Sequence, residues 1–272
     1  KKKGFVTMKC FSIDLDGTLL NSTREISEEN FATLKYLHEQ GHYVIINSGR
    51  AIEDVLKFEE IRKLNLPIIS INGTVIYSEN RDILFEASIP ISTYKKLFSL
   101  LSELGLGIMV YTNQGGFPFR NPDIQGKSWE EIESMFANYN YDQIFEKDNL
   151  KIYKVMAVTR PDQIETIDLA KKAVAGKLAL SVASSHPDNI EFTSVEANKG
   201  TALLRYQKHM KISFDEIYAF GDGGNDVEQF KVATTAIAMA NAPLEVQKEA
   251  DIITKTNDEN GFTYAVRELL KM

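Results

Sequence analysis

The run Asp14-Leu15-Asp16-Gly17-Thr18, near the start of this 272-residue chain, places two carboxylates two positions apart directly after an apolar segment. Carboxylates at the end of a buried strand are candidates for metal binding and for nucleophilic or acid–base chemistry. The same run also suits a solvated turn, because Asp-Gly is a common turn dipeptide. Taken alone, it leaves a structural turn and a functional pair of acids equally open.

Three more groups of polar residues follow apolar segments further along the chain. Ser48 comes after one apolar run, and Lys199 opens a segment with a helical pattern. A third apolar run, which ends at Phe220, is followed by the loop Gly221-Asp222-Gly223-Gly224-Asn225-Asp226. Acids, an amide, a hydroxyl and an ammonium group thus stand at separate points that a fold can bring together.

The elements between these groups alternate between strand and helix patterns. Short apolar runs predict strands at 10–13, 43–46, 68–71, 217–220 and 235–239, with helical patterns between them, one of them spanning 51–64. Ser27 is expected to cap the first helix. This alternation predicts an α/β fold with a doubly wound, Rossmann-like parallel sheet. Because the carboxyl ends of parallel strands meet at one edge, the polar groups are expected to converge there.

The pattern changes in the middle of the chain. Strands are predicted at 83–85, 107–111, 151–158 and 178–182, with helices near 94–104 and 162–174, before the strand 190–193 resumes the first pattern. We therefore predict a discontinuous core domain of residues 8–82 and 188–272, with an α+β domain of residues 83–187 inserted into it. Residues 1–7 precede the first predicted strand and do not enter the fold prediction.

Convergence of the polar groups would create a definite electrostatic problem. Three or four carboxylates repel one another unless a cation neutralises them, and a set of oxygen ligands suits Mg²⁺. Lys199 and the Ser48 hydroxyl beside that cation would bind an anion, and a phosphoryl group fits. Phosphoryl transfer depends mainly on positioning and electrostatic stabilisation. One acid would then attack or position water, and another would carry the proton of the leaving group.

The order of these motifs resembles that of the haloacid dehalogenase superfamily. The run from Asp14 to Thr18 matches its D-x-D-G-T signature, and Ser48, Lys199 and the loop 221–226 match its three remaining motifs in order. The inserted domain lies between the second and third motifs, as in the Cof-type phosphatases of subfamily IIB, whose cap domain it resembles. The resemblance implies a Mg²⁺-dependent phosphatase that hydrolyses a small phosphomonoester, either a sugar phosphate or a phosphorylated cofactor, through an aspartyl-phosphate.

The resemblance also implies a role for each matching residue. Asp14 would be the nucleophile, and Asp16 would be the general acid and then the general base. Ser48 and Lys199 would hold the phosphoryl oxygens. The residues expected to hold or support Mg²⁺ are Asp14, Asp16 through its backbone carbonyl, Asp222 and Asp226, with Asn225 as a further supporting residue.

Other residues beside the motifs have two interpretations. Gly49, Arg50, Asn72 and Gly73 are candidates for substrate contact or support. Arg50 suits an exposed helix start equally well, and Asn72-Gly73 is also an ordinary turn dipeptide. Two other functions stay open: a phosphomutase that uses the same aspartyl-phosphate, and a module that binds a sugar phosphate without turning it over.

The composition limits the possible partners. A formal net charge of −7 disfavours an extended nucleic-acid surface. No apolar run approaches the roughly 18 residues that a membrane span needs, and no signal-peptide pattern follows the opening lysines. Cys10 is the single cysteine, which excludes an internal disulfide and favours the cytoplasm. We expect a small phosphorylated metabolite as partner, and neither nucleic acid nor membrane.

Overall fold

A computed structural model of the chain describes residues 8–119, 148–184 and 186–272. The strands in this part of the chain form one sheet of eight and one of five. In chain order they are β1 (Lys9–Ile13), β2 (Tyr43–Asn47), β3 (Ile68–Ser70), β4 (Val75–Tyr77), β5 (Ile83–Glu86), β6 (Gly107–Thr112), β7 (Gly115–Phe119), β8 (Ile152–Val158), β9 (Leu180–Ala183), β10 (Asn189–Ser194), β11 (Glu216–Gly221), β12 (Thr235–Ala238) and β13 (Ile252–Ile253).

The described helices lie between these strands, and several are short. They are α1 (Glu28–Glu39), α2 (Ile52–Val55), α3 (Glu59–Leu64), α4 (Ile91–Glu103), α5 (Glu165–Val174), α6 (Lys199–Met210), α7 (Val227–Val232), α8 (Leu244–Gln247) and α9 (Gly261–Tyr264). Single turns of 3-10 or π type cover Leu15–Leu19, Ile71–Gly73, Pro161–Gln163, Gly224–Asp226, Asn257–Glu259 and Ala265–Leu269. Within the described residues, no helix has both the length and the apolar character needed to cross a membrane.

The eight-stranded sheet has the order β13-β12-β11-β1-β2-β3-β4-β5. Its strands run parallel from β13 to β3, and β1 lies between β11 and β2. Apolar side chains cover both faces: Phe11 and Ile13 of β1 belong to one core cluster, whereas Cys10 belongs to another together with Tyr206 of α6. Burial on two faces explains the nearly continuous apolar runs of these strands. The predicted doubly wound parallel sheet is confirmed.

β4 and β5 form a hairpin at one edge of this sheet. The chain reverses after β4 in a turn in which the Ser78 peptide nitrogen donates to the Asp82 carbonyl at 2.9 Å. β5 then pairs antiparallel with β4. The segment 83–85 was predicted as the first strand of the inserted domain, and that prediction was wrong. The apolar pattern of this segment predicts a strand but does not predict which strand it pairs with.

The five-stranded sheet has the order β7-β6-β8-β10-β9, and all its described pairs are antiparallel. Helices α4 and α5 contribute Leu97, Leu101 and Ile167 to the apolar core on one face of the sheet. Ile190 and Phe192 of β10 belong to the same core. The assignment of 190–193 to the parallel sheet was therefore wrong, because β10 pairs with β8 and β9 instead.

The chain divides into two compact units, one ending at Glu86 and resuming at Ala197, the other formed by Ala87–Glu196. The predicted domain changes at 82/83 and 187/188 lie four and nine residues earlier, because β5 and β10 each belong to the sheet on the other side of those limits. Residues 120–147 and residue 185 of the predicted inserted domain lie outside the described residues.

Of two local helix predictions, the cap at Ser27 is confirmed and the single helix over 51–64 is wrong. Ser27 caps α1, since its hydroxyl accepts a hydrogen bond from the Asn30 peptide nitrogen at 3.1 Å. The single helix predicted over 51–64 is two short helices, α2 and α3. Phe58 separates them with extended backbone angles of φ −77 and ψ 112, and its ring packs against the apolar core. We attribute the break to this ring, because its packing against the core stabilises the fold more than one continuous helix would.

Candidate active site

Lys199 lies at the centre of the polar cluster in the larger unit. Its side chain is fully buried, and Nζ lies 2.6 Å from Asp14 Oδ1 and 2.6 Å from Asp226 Oδ1. The Asn198 side chain caps α6 by accepting from the Thr201 peptide nitrogen, which fixes the helix start that carries the lysine. Burial acts to lower the pKa of Lys199, but the two carboxylates outweigh it and raise that pKa above its ordinary value. The ammonium group therefore stays charged.

Asp14 is held at the carboxyl end of β1. Its peptide nitrogen donates to the Phe220 carbonyl of β11 at 3.1 Å, which continues the parallel pairing to the carboxyl ends of the two strands. The side chain is almost completely buried. Burial raises the pKa of Asp14, and repulsion from Asp226 and Asp222 adds to this effect against the attraction of Lys199. The site thus holds more negative charge than one lysine balances.

Asp14, Asp222 and Asp226 form the described carboxylate group that suits a metal ion. One carboxylate oxygen from each lies within 4.8 Å of the others. Carboxylate oxygens are the ligands that hard divalent cations such as Mg²⁺ prefer, so the chemistry of the donor set fits the predicted cofactor. Three of the four predicted metal residues therefore come together through their carboxylates, while the carboxylate of Asp16 lies outside this group.

The three carboxylates differ in what already binds them. Asp226 is fully buried, and each oxygen accepts two hydrogen bonds: Oδ1 from Lys199 and from Gln229 Nε2 at 2.7 Å, and Oδ2 from the peptide nitrogens of Asp222 and Gly223, both at 3.0 Å. Because its oxygens are engaged, Asp226 mainly shapes the loop 221–226 and orients the lysine. Asp14 and Asp222 are the better placed pair for a cation.

Asp222 is enclosed by residues of the first motif. Thr18 Oγ1 donates to its Oδ1 at 3.3 Å, and Asn241 Nδ2 lies 3.4 Å from its Oδ2 and 2.8 Å from the Gly17 carbonyl. Gly17 has a φ of 71°, and a Cβ there would collide with the Asp222 carboxylate, so two constraints require glycine. Burial, followed by repulsion from Asp226, raises the pKa of Asp222 to about 7.

Ser48 lies at the end of β2, beside β1 in the sheet, and is fully buried. Its peptide nitrogen donates to the Ile69 carbonyl at 2.9 Å, and its carbonyl accepts from the Asn72 peptide nitrogen at 3.0 Å. Its hydroxyl accepts a 3.2 Å hydrogen bond from the Arg50 peptide nitrogen. Ser48 is thus fixed in a turn that joins the ends of β2 and β3.

The Asn72-Gly73 turn contacts two other parts of the predicted site. Ile71, Asn72 and Gly73 all have positive φ, and the Asn72 amide oxygen accepts from Asn225 Nδ2 at 3.0 Å. A Cβ at Gly73 would collide with the backbone of Asn198, and a Cβ at Gly49 would come 3.1 Å from Asn72 Oδ1. These residues join the loops of the site to one another.

Arg50 and Asp16 form a bidentate ion pair. Nε of the arginine lies 2.7 Å from Asp16 Oδ2, and Nη2 lies 2.5 Å from Oδ1. The Asp16 side chain is 56% exposed and that of Arg50 24%. The hydrogen bonds to Asp16 raise the pKa of Arg50, so the guanidinium stays charged. The two acids of the D-x-D run therefore have different cationic partners, Lys199 for Asp14 and Arg50 for Asp16.

A buried amide network behind the charged cluster was not predicted from the sequence. Gln229 bridges Asp226 and Ser12, whose hydroxyl donates to Gln229 Oε1 at 2.7 Å. Asn47 Nδ2 lies 3.1 Å from Gln229 Oε1, 3.2 Å from Ser12 Oγ and 3.1 Å from the Lys199 carbonyl. The signal that points to Ser12 and Asn47 is polarity inside otherwise apolar strands, on the face shared with Cys10 and Ile45.

The fold and this site define an α/β protein that gathers acids and a lysine at the carboxyl ends of parallel strands. Residues 11–266 match the family described as haloacid dehalogenase-like hydrolase, so the chain belongs to that family. Phosphatase YwpJ of Bacillus subtilis (strain 168) is 31% identical over 97% of this chain and all of the relative. The 5-amino-6-(5-phospho-D-ribitylamino)uracil phosphatase YwtE of the same strain is 30% identical over 97% and 98% of the two chains.

A solved structure supports the same membership. A haloacid dehalogenase-like hydrolase from B. subtilis superposes with a TM-score of 0.83 at 27% identity, over 96% of this chain and 100% of that one. The family predicted from the four motifs is confirmed, and with it the class of enzyme, a hydrolase whose curated relatives are named phosphatases.

The amide network predicts a large effect for Gln229→Leu. The substitution removes a donor from Asp226 and an acceptor from Ser12 and Asn47 in the buried interior, so the free energy of unfolding should fall by about 1–3 kcal/mol. Urea unfolding followed by circular dichroism measures this change. Lys231→Leu, on the exposed face of the same helix, is the matched control and should change stability by less than about 0.5 kcal/mol. Equal stability of the two variants would contradict the network's role.

The carboxylate group predicts opposite effects of Asp222→Asn with and without metal. The variant removes one of three mutually repelling carboxylates, so without added metal it should unfold at a higher temperature than the wild type. Added Mg²⁺ should raise the unfolding temperature of the wild type and much less that of the variant. Asp54→Asn, at an exposed ion pair, is the control and should keep the wild-type response to Mg²⁺. A full response in Asp222→Asn would remove Asp222 from the metal site.

Proposed function

We propose that the protein is a Mg²⁺-dependent phosphatase that hydrolyses small phosphomonoesters through an aspartyl-phosphate on Asp14. The observation that carries this proposal is the buried arrangement of Asp14, Lys199 and Asp226, with Asp222 within 4.8 Å. It supports Asp14 as the nucleophile, because a permanent cation and a second acid that suits a metal lie beside its carboxylate. Membership of a hydrolase family whose curated relatives are named phosphatases supports it.

In the first step, an Asp14 carboxylate oxygen attacks phosphorus as the bond from phosphorus to the ester oxygen breaks. Lys199 binds Asp14 Oδ1, which fixes the carboxylate for in-line attack and offsets negative charge at the reacting centre. Asp16 gives its proton to the departing alcohol oxygen. Ser48, held in its turn at the end of β2, is the proposed hydroxyl donor to a phosphoryl oxygen.

In the second step, water attacks the aspartyl-phosphate. Asp16, now ionised, takes a proton from that water, the bond between phosphorus and the Asp14 oxygen breaks, and inorganic phosphate leaves with the Asp14 carboxylate restored. Mg²⁺ would be held by the carboxylates of Asp14 and Asp222 and the backbone carbonyl of Asp16, with Asp226 and Asn225 in support. When bound, it supplies positive charge that offsets the phosphoryl oxygens and the clustered acids.

The proposed substrate class is a small phosphorylated metabolite, either a sugar phosphate or a phosphorylated cofactor. One relative is named for a phosphate ester on a ribityl chain, which is a phosphomonoester of a polyol. We assign substrate selection to the inserted unit formed by Ala87–Glu196. We also place the protein in the cytoplasm, on the strength of its single, free and buried cysteine.

Asp14→Asn tests the nucleophile. Because an amide cannot form the aspartyl-phosphate, the variant should lose phosphate release from para-nitrophenyl phosphate in Mg²⁺ by about 1,000-fold or more. A colorimetric assay measures the loss, and thermal unfolding verifies that the variant is folded. Equal rates in the variant and the wild type, or no turnover by the wild type across a broad panel of phosphorylated metabolites, would overturn the proposal. Binding without turnover would favour the non-catalytic module, and dependence on a bisphosphate activator the mutase.

Asp16→Asn tests the proton donor. Phenol is a poorer leaving group than nitrophenol and needs the proton more, so the loss in kcat/KM should be about 100-fold or greater on phenyl phosphate and clearly smaller on para-nitrophenyl phosphate. Both esters are aryl phosphates of similar shape, so binding differences stay small. Similar losses on the two substrates would count against Asp16 as the acid.

A further inference from the structure

The backbone of Arg50 is held by its own hydrogen bonds, independently of the contacts of its guanidinium. Its peptide nitrogen donates to Ser48 Oγ at 3.2 Å, and its carbonyl accepts from the Ile71 peptide nitrogen at 3.0 Å. The guanidinium lies 5.4 Å from the centroid of the Phe58 ring, within the range of a cation–π contact. Phe58 packs against the apolar core at the break between α2 and α3. The guanidinium therefore extends from a hydrogen-bonded loop and contacts the ring of Phe58, which is itself packed.

The carboxylate of Asp16 depends on this arginine for its orientation. Two parallel hydrogen bonds, Nε to Oδ2 at 2.7 Å and Nη2 to Oδ1 at 2.5 Å, fix the plane of the carboxylate as well as its position. The Asp16 side chain is 56% exposed, so packing restrains it little. Among the residues that the structure describes, no other side chain forms a hydrogen bond with the Asp16 carboxylate.

Lys199, the other cation of the site, binds carboxylates other than that of Asp16. Lys199 Nζ is fully buried and binds Asp14 and Asp226 at 2.6 Å each. A lysine would also hold a carboxylate as a point charge, whereas the guanidinium fork sets its direction. The two cations thus have separate roles, one at the proposed nucleophile and one at the proposed acid.

We propose that Arg50 is a positioning residue for Asp16, and that it acts on proton transfer to the leaving group and not by binding the phosphoryl group. This inference rests on the proposed function, in which Asp16 is the general acid and base. When Asp16 carries the proton on Oδ1, that oxygen accepts more weakly from Nη2, while Oδ2 keeps its bond from Nε. The carboxyl group then stays oriented as it passes the proton to the ester oxygen, and the full fork re-forms on the carboxylate.

A positioning role predicts a loss that depends on the leaving group. We expect Arg50→Met to lower kcat/KM roughly tenfold or more on phenyl phosphate and by a clearly smaller factor on para-nitrophenyl phosphate, because the second ester needs the proton less. Arg50→Lys keeps the charge without the fork and should show the same dependence at reduced size. Lys57→Met removes a cation from an exposed pair nearby and should leave the ratio of the two kcat/KM values at the wild-type level.

The double variant Asp16→Asn with Arg50→Met separates positioning from a direct contact. If Arg50 acts through Asp16, adding Arg50→Met to Asp16→Asn should leave kcat/KM on each of the two substrates unchanged. A further loss of equal size on both substrates, together with weaker inhibition by inorganic phosphate, would show that Arg50 binds the phosphoryl group and would overturn the inference. Thermal unfolding verifies the folding of each variant, and Arg50→Lys carries the test if Arg50→Met does not fold.

The inference and the proposed function fail in distinguishable ways. An inactive wild type, or Asp14→Asn with full activity, would overturn the phosphatase proposal and the role of Arg50 with it. A leaving-group dependence in Asp16→Asn combined with equal losses on both substrates in Arg50→Met would overturn the positioning role alone. A loss in Arg50→Met that is larger on phenyl phosphate and disappears in the Asp16→Asn background is the expected result.

Discussion

The site depends on the burial of Lys199 between Asp14 and Asp226. The ammonium group and the Asp226 side chain are fully shielded from water, and Asp14 nearly so, which makes each charge costly without its partners. Removing one member of such a set leaves an uncompensated buried charge, a loss of about 3–5 kcal/mol. The three residues belong to the end of β1, the start of α6 and the loop after β11, so their contact requires the parallel sheet to form in register.

The amide network behind this triad has a physical reason to be neutral. Asp226 accepts a second hydrogen bond at Oδ1 besides that of Lys199, and a buried ammonium group in place of this donor would add the desolvation cost of another charge. Gln229 supplies the donor without charge, and its own amide oxygen accepts from Ser12 and Asn47. Asn47 in turn donates to the Lys199 carbonyl, which links the end of β2 to the start of α6. Neutral groups thereby position the charged ones at small electrostatic cost.

The meeting of Asp14 and the 221–226 loop was predictable because both follow parallel strands, whose carboxyl ends lie at one edge of the sheet. Lys199 follows β10, which pairs in the other sheet, so this rule did not place it and only the order of the motifs pointed to the site. This rule needs only the strand and helix pattern, which apolar spacing reports well. The sheet membership of β5 and β10 was not predictable in the same way, since strand pairing depends on residues far away in sequence. Gln229 was missed for a related reason: a single glutamine on a helix has no local pattern, and its importance appears only once Asp226 and Asn47 are beside it.

The charges of the site indicate what it is built to accept. With every group ionised, three clustered carboxylates and one lysine carry a formal charge of −2, to which the Asp16–Arg50 ion pair adds nothing. One divalent cation balances this charge, whereas a second lysine would balance half of it. A balanced site can admit an anionic phosphoryl group next to Asp14, which an unbalanced group of acids would repel. In the proposed function, charge therefore favours phosphoryl binding after the metal is bound.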